Sequence, residues 1–297
     1  MRHIAIIPAR NEARHLPVTL CSLLAQSEKP DRIVVVDDGS SDGTSALVSR
    51  IEAENPTVTL VSLPDRGQRK MGGAVVKVFN AGYERFRQEG SVYVSKFDAD
   101  LNFPTHYCKR LLDYLDENPD VGTAGGTLIE HIGGRARPLR TPGDHVVGAL
   151  KTLRRTVFEA IGGFIPISSW DILDLVQVRR LGYRTVRLTE LEVVHQRQHG
   201  SAEGVLHGRM QWGHGAYVIR SHPLFVIGRG LYRMLEPPYI VGGVAFWLGY
   251  LGAALQRTPR LEDRGLAKSL RREQLHRILH SNTTSGAEVA SYKYGNK

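Results

Sequence analysis

The first hundred residues alternate short apolar segments with amphipathic segments of helix length, and this alternation constrains the fold more than any other feature. Leu16, Leu20, Leu23 and Leu24, for example, recur on one face of a helix. Strands that alternate with helices form a largely parallel, doubly wound sheet. The pattern predicts an α/β domain with a mostly parallel central sheet flanked by helices. The strand-like runs are residues 4–7, 33–36, 58–62 and 92–95.

The composition of the chain changes twice further along. After residue 121 come Gly-rich strands and loops, then predicted helices around residues 152–161 and 171–181 and a strand over residues 184–188. Beyond about residue 205 a long apolar run and a basic segment follow. These shifts predict three parts: an α/β domain over residues 1–205, a C-terminal helical segment over 206–280, and a flexible tail over 281–297.

The overall charge favours anionic partners. The chain carries a formal net charge of +9 at pH 7, and its 41% hydrophobic residues exclude wholesale disorder. No motif and no interleaving of aromatic and basic residues indicate nucleic-acid binding. Only Cys21 and Cys108 occur, which excludes a disulfide framework and a thiolate zinc site, and we expect both to be buried.

The run 239–255 contains 17 residues without a charge and is flanked by basic residues. It is shorter than the ~20 residues that a spanning helix needs, so it favours an interfacial or re-entrant element, or alternatively a buried helix. The N-terminal segment shows no pattern of a signal peptide. We therefore predict a cytoplasmic location, peripheral on the inner face of the cell membrane.

Asp98 and Asp100 directly follow a predicted buried strand. Residues i and i+2 of an extended segment point the same way, so these two carboxylates can share one divalent cation such as Mg²⁺ or Mn²⁺. A diphosphate-bearing substrate requires such a cation to offset its charge. Because ligands of open α/β sheets collect beyond the carboxyl ends of the strands, we prefer this interpretation to a solvated loop.

Two further polar clusters follow strands. Asp37 and Asp38 come after the second strand, where a carboxylate can accept hydrogen bonds from a base or a ribose, or can cap the next helix. His195 and Arg197 come after a late strand. His195 is a candidate metal or diphosphate ligand, with an ordinary loop histidine as the alternative.

Five motifs, taken in order, resemble family 2 glycosyltransferases of the GT-A fold. The resemblance covers roughly residues 1–200. It is carried by Ile-Pro-Ala-Arg-Asn-Glu (7–12), Val-Val-Asp-Asp-Gly-Ser-Ser-Asp-Gly-Thr (35–44), Asp-Ala-Asp (98–100), Ile-Gly-Gly-Phe (161–164), and Trp-Asp (170–171) before Gly-Tyr-Arg (182–184).

The resemblance implies a role for several residues of the donor side. Pro8, Arg10 and Glu12 match the loop that packs on the nucleotide, and Asp38 matches the acid that binds the base. Arg69 or Lys70 matches a loop in which a basic residue contacts the nucleotide.

The resemblance also implies the metal ligands and the base. Asp100 matches the principal metal ligand, and Asp98 faces the ribose or the metal. Enzymes of this fold sometimes use a late histidine such as His195 as a further ligand. Asp171 matches the general base, although its alternative is a helix N-terminal acid.

The sequence departs from the family pattern at Trp170, where a glutamate is usual. Its indole either stacks on an acceptor sugar or fills a hydrophobic wall. The resemblance implies an inverting transfer from a nucleoside-diphosphate sugar to the hydroxyl of a glycan or lipid-linked acceptor. Transfer to a polyprenyl phosphate and, less favoured, nucleotidyl transfer are the alternatives.

Overall fold

The computed structural model describes residues 1–65, 67, 73–132, 134–139, 141–197 and 204–279. Its elements follow the predicted alternation. They are β1 (His3–Ala9), α1 (Leu16–Leu24), β2 (Arg32–Asp37), α2 (Thr44–Glu54), β3 (Val58–Ser62), α3 (Gly73–Phe86), β4 (Tyr93–Phe97), β5 (Leu101–Asn102), α4 (Tyr107–Glu117), β6 (Val121–Ile132), β7 (Arg135–Pro138), β8 (Leu150–Arg154), α5 (Arg155–Ala160), α6 (Trp170–Arg180), β9 (Arg184–His195), α7 (Val205–Val218), α8 (Pro223–Arg233), α9 (Val241–Leu255) and α10 (Arg264–Leu279).

Within the described residues, nine strands form one mixed sheet in the order β3-β2-β1-β4-β8-β6-β9-β5, with β7 paired to β6. The strands from β3 to β4 are parallel, as are β6 and β9. β8 is antiparallel to both of its neighbours, β4 and β6. The carboxyl ends of β1, β2 and β4 therefore lie at one edge of the sheet.

Two apolar cores cover the two faces of the sheet. In β1, Ala5 and Ile7 pack with α1, α2 and α4, whereas Ile4 and Ile6 pack with α3, α5 and α6. This division follows from the alternation of side chains along a strand. The result is a three-layer arrangement with helices on both faces.

Three expectations need correction. The predicted helix over residues 152–161 begins only at Arg155, because Thr152 pairs with Ser95 as part of β8. The strand predicted over residues 184–188 continues to His195, because its second half pairs with β6 and β5. Cys21 is exposed on α1, and only Cys108 is buried.

The helices after residue 204 do not form a detached unit. Leu266, Ala267 and Leu270 of α10 pack against Leu173 and Val176 of α6 in one apolar cluster. The division of the chain at residue 205 stays a prediction, and the tail over residues 281–297 lies outside the described residues. The helical segment is nonetheless fixed to the helix that carries Asp171.

Candidate active site

The carboxylates of Asp98 and Asp100 lie at the end of β4, as predicted. The Asp98 N–H donates to the Ala149 carbonyl at 3.0 Å, which ties the segment after β4 to β8. Ala99 between them is buried, and the side chain of Asp98 is more exposed than that of Asp100. The two acids thus line the edge of the sheet.

The short strand β5 brings this segment to the end of β9. Leu101 pairs with His195, and the Gln196 N–H donates to the Asp100 carbonyl at 2.9 Å. His195 also lies beside Glu130 in the parallel pairing of β6 and β9. Backbone hydrogen bonds therefore place His195 next to Asp100, although 95 positions separate the two residues in the sequence.

Asp98, Asp100 and His195 can hold one cation together. Each offers a ligand atom, and these atoms lie within 4.8 Å of one another. His195 Nε2 is 3.2 Å from Asp100 Oδ2, and its Nδ1 is 3.6 Å from Glu130 Oε1. A carboxylate behind a histidine orients the ring for metal binding through its other nitrogen. The chemistry of this donor set fits Mg²⁺ or Mn²⁺.

Basic side chains balance the charge of these acids. Arg197 donates to Asp100 Oδ2 and to Glu12 Oε1, both at 2.7 Å. Lys96 forms an ion pair with Asp98. Burial acts to raise the pKa of the Asp100 carboxyl, but His195 and Arg197 hold it well below its usual value. Burial acts to lower the pKa of His195, but the carboxylates of Asp100 and Glu130 raise it to about 9.

Asp171 lies in the first turn of α6, where the helix dipole favours a negative charge. Lys151 Nζ donates to the Asp171 carbonyl at 3.1 Å and to the two carboxylate oxygens of Asp174 at 2.7 and 2.5 Å. The side chains of Lys151 and Asp174 are fully buried. This buried ion pair fixes the N-terminal turn of α6, and with it Asp171, to β8.

Trp170 connects the two ends of the site. Its indole is buried and packs on Phe164, with the ring centroids 4.7 Å apart. Lys96 Nζ and Lys151 Nζ lie 5.7 and 5.2 Å from the indole centroid. Because Lys96 also pairs with Asp98, and Lys151 donates to the Asp171 carbonyl, the indole lies between Asp98 and Asp171. The burial of the indole favours a role as a hydrophobic wall over stacking on a sugar.

Of the three nucleotide-binding residues predicted for the loop after the first strand, Arg10 and Glu12 lie in that loop, whereas Pro8 lies in β1 because the strand continues to Ala9. Pro8 pairs with Val36 inside the sheet. Arg10 donates to the Asp38 carbonyl and to Asp65 Oδ1, the latter at 2.7 Å. Glu12 is buried and directs its carboxylate to Arg197. Glu12 is thus placed to orient Arg197, which sequence reasoning did not foresee.

The two acids after β2 have different surroundings. Asp37 accepts hydrogen bonds from the Ser40 N–H at 3.0 Å and from the Ser40 and Ser45 hydroxyls, as expected of a residue that stabilises a turn. Asp38 is buried at the same edge of the sheet, beside Arg10. Arg69, the remaining predicted donor contact, lies outside the described residues.

Comparison with known sequences decides the family. The sequence model of the family described as glycosyl transferase family 2 matches residues 4–168, more than half of the chain. The protein belongs to glycosyl transferase family 2. This confirms the family inferred from the five motifs. The match includes Asp98 and Asp100 and ends before Asp171 and His195.

Individual relatives of this family 2 protein match shorter stretches. A succinoglycan biosynthesis protein (ExoA) of Rhizobium meliloti is 33% identical over 112 residues, which are 37% of this chain and 31% of the relative. An undecaprenyl-phosphate mannosyltransferase of Micrococcus luteus is 34% identical over 113 residues, 38% of this chain and 44% of the relative. The chain thus spans less than half the length of these relatives.

The fold of the family 2 protein also has solved counterparts. A mannosyltransferase from Pyrobaculum calidifontis, solved with GDP-Man and Mn²⁺, superimposes with a TM-score of 0.56 at 19% identity, covering 93% of this chain and 80% of its own. This similarity shows the GT-A fold. The mixed sheet flanked by helices is the arrangement that the resemblance implied.

Several residues of this family 2 site carried no signal in the sequence. Lys96, Lys151, Asp174 and Glu130 stand in apolar strand or helix patterns and match no motif used above. Gly148 is a further case, because a Cβ there would lie 2.9 Å from the Asp171 Cβ and 3.1 Å from the indole of Trp170. The Lys96–Lys151 register across β4 and β8 could have been found only after β8 was recognised as a strand.

Proposed function

We propose that this family 2 protein transfers a sugar from a nucleoside-diphosphate sugar to an acceptor hydroxyl with inversion of the anomeric carbon. One observation carries the proposal: Asp98, Asp100 and His195 converge within 4.8 Å at the edge of the sheet. Asp100, Asp98 and His195 are the ligands for Mg²⁺ or Mn²⁺. When bound, the cation supplies a Lewis acid that offsets the charge of the leaving diphosphate.

Asp171 is the general base in this proposal. The acceptor oxygen forms its bond to the anomeric carbon while the bond from that carbon to the diphosphate oxygen breaks. The bonding electron pair leaves with the diphosphate, and the Asp171 carboxylate takes the hydroxyl proton. Since one displacement occurs on the face opposite the leaving group, the anomeric centre inverts, and no second nucleophilic carboxylate is needed.

The nucleotide occupies the edge formed by β1 and β2 in this proposal. Asp38 accepts hydrogen bonds from the base, and Pro8 and Arg10 form the adjoining wall. The contact between Arg10 and the Asp38 carbonyl supports this assignment, because it holds the two loops together. Arg69, which was assigned from the sequence, contributes a further contact to the nucleotide. Arg197 keeps the Asp100 carboxylate oriented through its second hydrogen bond to Glu12.

Donor and metal binding are tested by thermal unfolding. With Mn²⁺ and a panel of UDP-, GDP-, dTDP- and CDP-sugars, we expect at least one donor to raise the melting temperature, since a ligand at 100 times its Kd stabilises by about 2.7 kcal/mol. The double variant Asp98→Asn with Asp100→Asn should lose this shift and its dependence on Mn²⁺. The control Asp113→Asn removes a half-exposed surface carboxylate and should keep both. An unchanged shift in the double variant contradicts the metal assignment.

Turnover of Asp171→Asn tests the base. For a hydroxyl acceptor we expect kcat to fall by about 10²–10⁴-fold, the usual contribution of a general base, with donor affinity unchanged. A polyprenyl phosphate is the second candidate acceptor, supported by the similarity to the undecaprenyl-phosphate mannosyltransferase of Micrococcus luteus. A phosphate oxygen needs no deprotonation. Turnover that is nearly intact in Asp171→Asn would therefore favour the phosphate acceptor.

Family membership favours sugar transfer over nucleotidyl transfer. We further propose a glycan or lipid-linked acceptor in surface polysaccharide or lipid-linked glycan synthesis, which the names of the relatives support. The cytoplasmic location stays a prediction. Contact with a membrane surface depends on the helices after residue 204 and is a separate proposal.

A further inference from the structure

Helix α9 presents large apolar side chains to solvent along one face. Its exposed apolar residues recur at spacings of three and four and are 40–85% exposed: Val241, Val244, Leu248, Leu251 and Leu255. The outward face of a surface helix is ordinarily charged or polar. All 15 residues of α9 are uncharged, so this helix has no polar face to offer to water.

Helices α7 and α8 extend this surface. Leu224, Ile227 and Leu231 of α8 are 51–58% exposed, and each lies about one turn after the one before it. The next exposed apolar residues are Tyr232 and Leu235. Val205, Leu206 and Met210 of α7 are also exposed. We call these residues, with the exposed residues of α9 and with Tyr239 and Ile240 between the helices, the apolar face. Both α7 and α8 pack on α9, and many large exposed apolar residues on adjoining helices mark an interaction site.

Glycines let these helices approach one another closely around a small apolar cluster that includes Phe246 and Trp247. A Cβ on Gly213 of α7 would lie 1.8 Å from the Phe246 carbonyl oxygen, and one on Gly249 of α9 would lie 2.0 Å from the Met210 carbonyl oxygen. Gly230 of α8 approaches the indole of Trp247 in the same way. Close helix contacts at small residues are a feature of helices that pack in lipid.

The charges around the apolar face complement an anionic surface. Residues 204–256 contain a single acid, Glu236, which is paired with Arg233, so this segment presents no unpaired carboxylate to an anionic surface. Arg257 after α9 and Arg264 and Lys268 of α10 are exposed. A second copy of this chain would bring the same exposed basic residues toward this surface, and like charges across an interface are unfavourable. Anionic phospholipid headgroups supply the opposite charge.

The dimensions favour a helix that lies in the interface. At 1.5 Å per residue, the 15 residues of α9 extend about 22 Å, short of the ~30 Å hydrocarbon core. Among the residues that the structure describes, no helix has the length and apolar character of a membrane span. Interfacial helices lie parallel to the bilayer, with their exposed apolar residues buried roughly 5–10 Å.

From these observations we infer that the apolar face of α7, α8 and α9 docks on the surface of a membrane containing anionic phospholipid. The tyrosines at its junction, Tyr232 and Tyr239, anchor it at the level of the headgroups. Because α10 packs on α6, docking holds Asp171 at a fixed distance from the lipid surface. This last consequence rests on the proposed function; the docking surface itself does not.

Flotation of the full chain with vesicles tests the docking surface. We use vesicles of phosphatidylcholine alone and of phosphatidylcholine mixed with phosphatidylglycerol, and expect the wild type to float with both, more with the anionic mixture. Two double variants, Leu248→Glu with Leu251→Glu and Ile227→Glu with Leu231→Glu, should reduce the vesicle-bound fraction at least about tenfold, because each places carboxylates in the interface. All four side chains are more than half exposed, so the fold should persist.

The matched control, Val92→Glu with Leu181→Glu, changes two apolar residues of similar exposure on other parts of the surface and should float like the wild type. The proposal is overturned if the α8 and α9 variants float to the same extent as the wild type, or if the wild type does not float. It is also overturned if light scattering shows that the wild type is a dimer without lipid and that the same variants are monomers, because a second copy of the chain would then cover the apolar face. Donor-induced thermal shifts, measured on the wild type and on all variants, distinguish this proposal from the proposed function. A wild type that floats with vesicles but shows no donor-induced shift counts against the enzyme activity alone.

Discussion

At the scale of single residues, the site depends on pairing its acids with basic side chains. Lys96 and Lys151 stand opposite each other on β4 and β8, an arrangement in which like charges repel. It is tolerated because Lys96 pairs with Asp98 and Lys151 pairs with Asp174. The same principle applies to Asp100, which accepts from Arg197 and contacts His195.

His3 gives the protein a defined sensitivity to acid. Burial lowers its pKa to about 4, and its Nε2 lies 2.6 Å from Ser95 Oγ. The pKa of His3 is lower in the folded protein than in the unfolded chain, so the folded state favours the neutral imidazole. The full stability is therefore present above pH 6.5 and decreases as the pH falls toward 4. The loss amounts to about 3 kcal/mol.

Urea unfolding between pH 7.5 and 4.5 measures this effect. Other groups also titrate in this range, so the difference between the wild type and His3→Gln is the relevant quantity, and we expect the variant to lose less stability on acidification. His106→Gln changes an exposed histidine and should follow the wild type. Parallel pH profiles for the wild type and His3→Gln would contradict the assignment.

At the scale of elements, the buried pair of Lys151 and Asp174 determines how α6 is held on the sheet. Lys151→Met should destabilise the protein by about 3–5 kcal/mol, because it leaves the Asp174 carboxylate buried without a partner. It should also lower kcat, since Lys151 donates to the Asp171 carbonyl. Urea unfolding and turnover with a saturating donor measure the two effects.

The double variant Lys151→Met with Asp174→Leu separates charge from packing. It removes both charges and should regain most of the lost stability, while kcat stays reduced. Lys109→Met, which removes one partner of the exposed pair with Asp113, should cost little stability, because water screens an exposed ion pair. A similarly small cost for Lys151→Met would show that the buried pair does not hold α6.

At the scale of the whole molecule, the parallel strands and the C-terminal helices serve different parts of the proposed reaction. The edge formed by β1, β2 and β4 gathers Asp38, Asp98 and Asp100, whereas α6 and α10 connect Asp171 to the helices of the apolar face. The net charge of +9 is consistent with both a diphosphate donor and an anionic lipid surface.

By itself the sequence determined the strand–helix alternation, the family and the position of Asp98 and Asp100 after a strand. These features are local: β-branched runs, helical periodicity and motif spacing are all expressed within about twenty residues. The structure confirms β1 to β4 to within two residues at each end, because each is centred on a short run rich in β-branched or other apolar residues.

Only the tertiary structure decided what depends on pairing between distant segments. β8 was mistaken for the start of a helix because Lys151 and Arg154 interrupt its apolar pattern, yet pairing with β4 and β6 makes it a strand. The extension of β9 to His195, and hence the contact of His195 with Asp100, follows from its register with β6 and β5. Sequence periodicity carries no information on such long-range register, because the partner strand, not the local residues, satisfies the backbone hydrogen bonds.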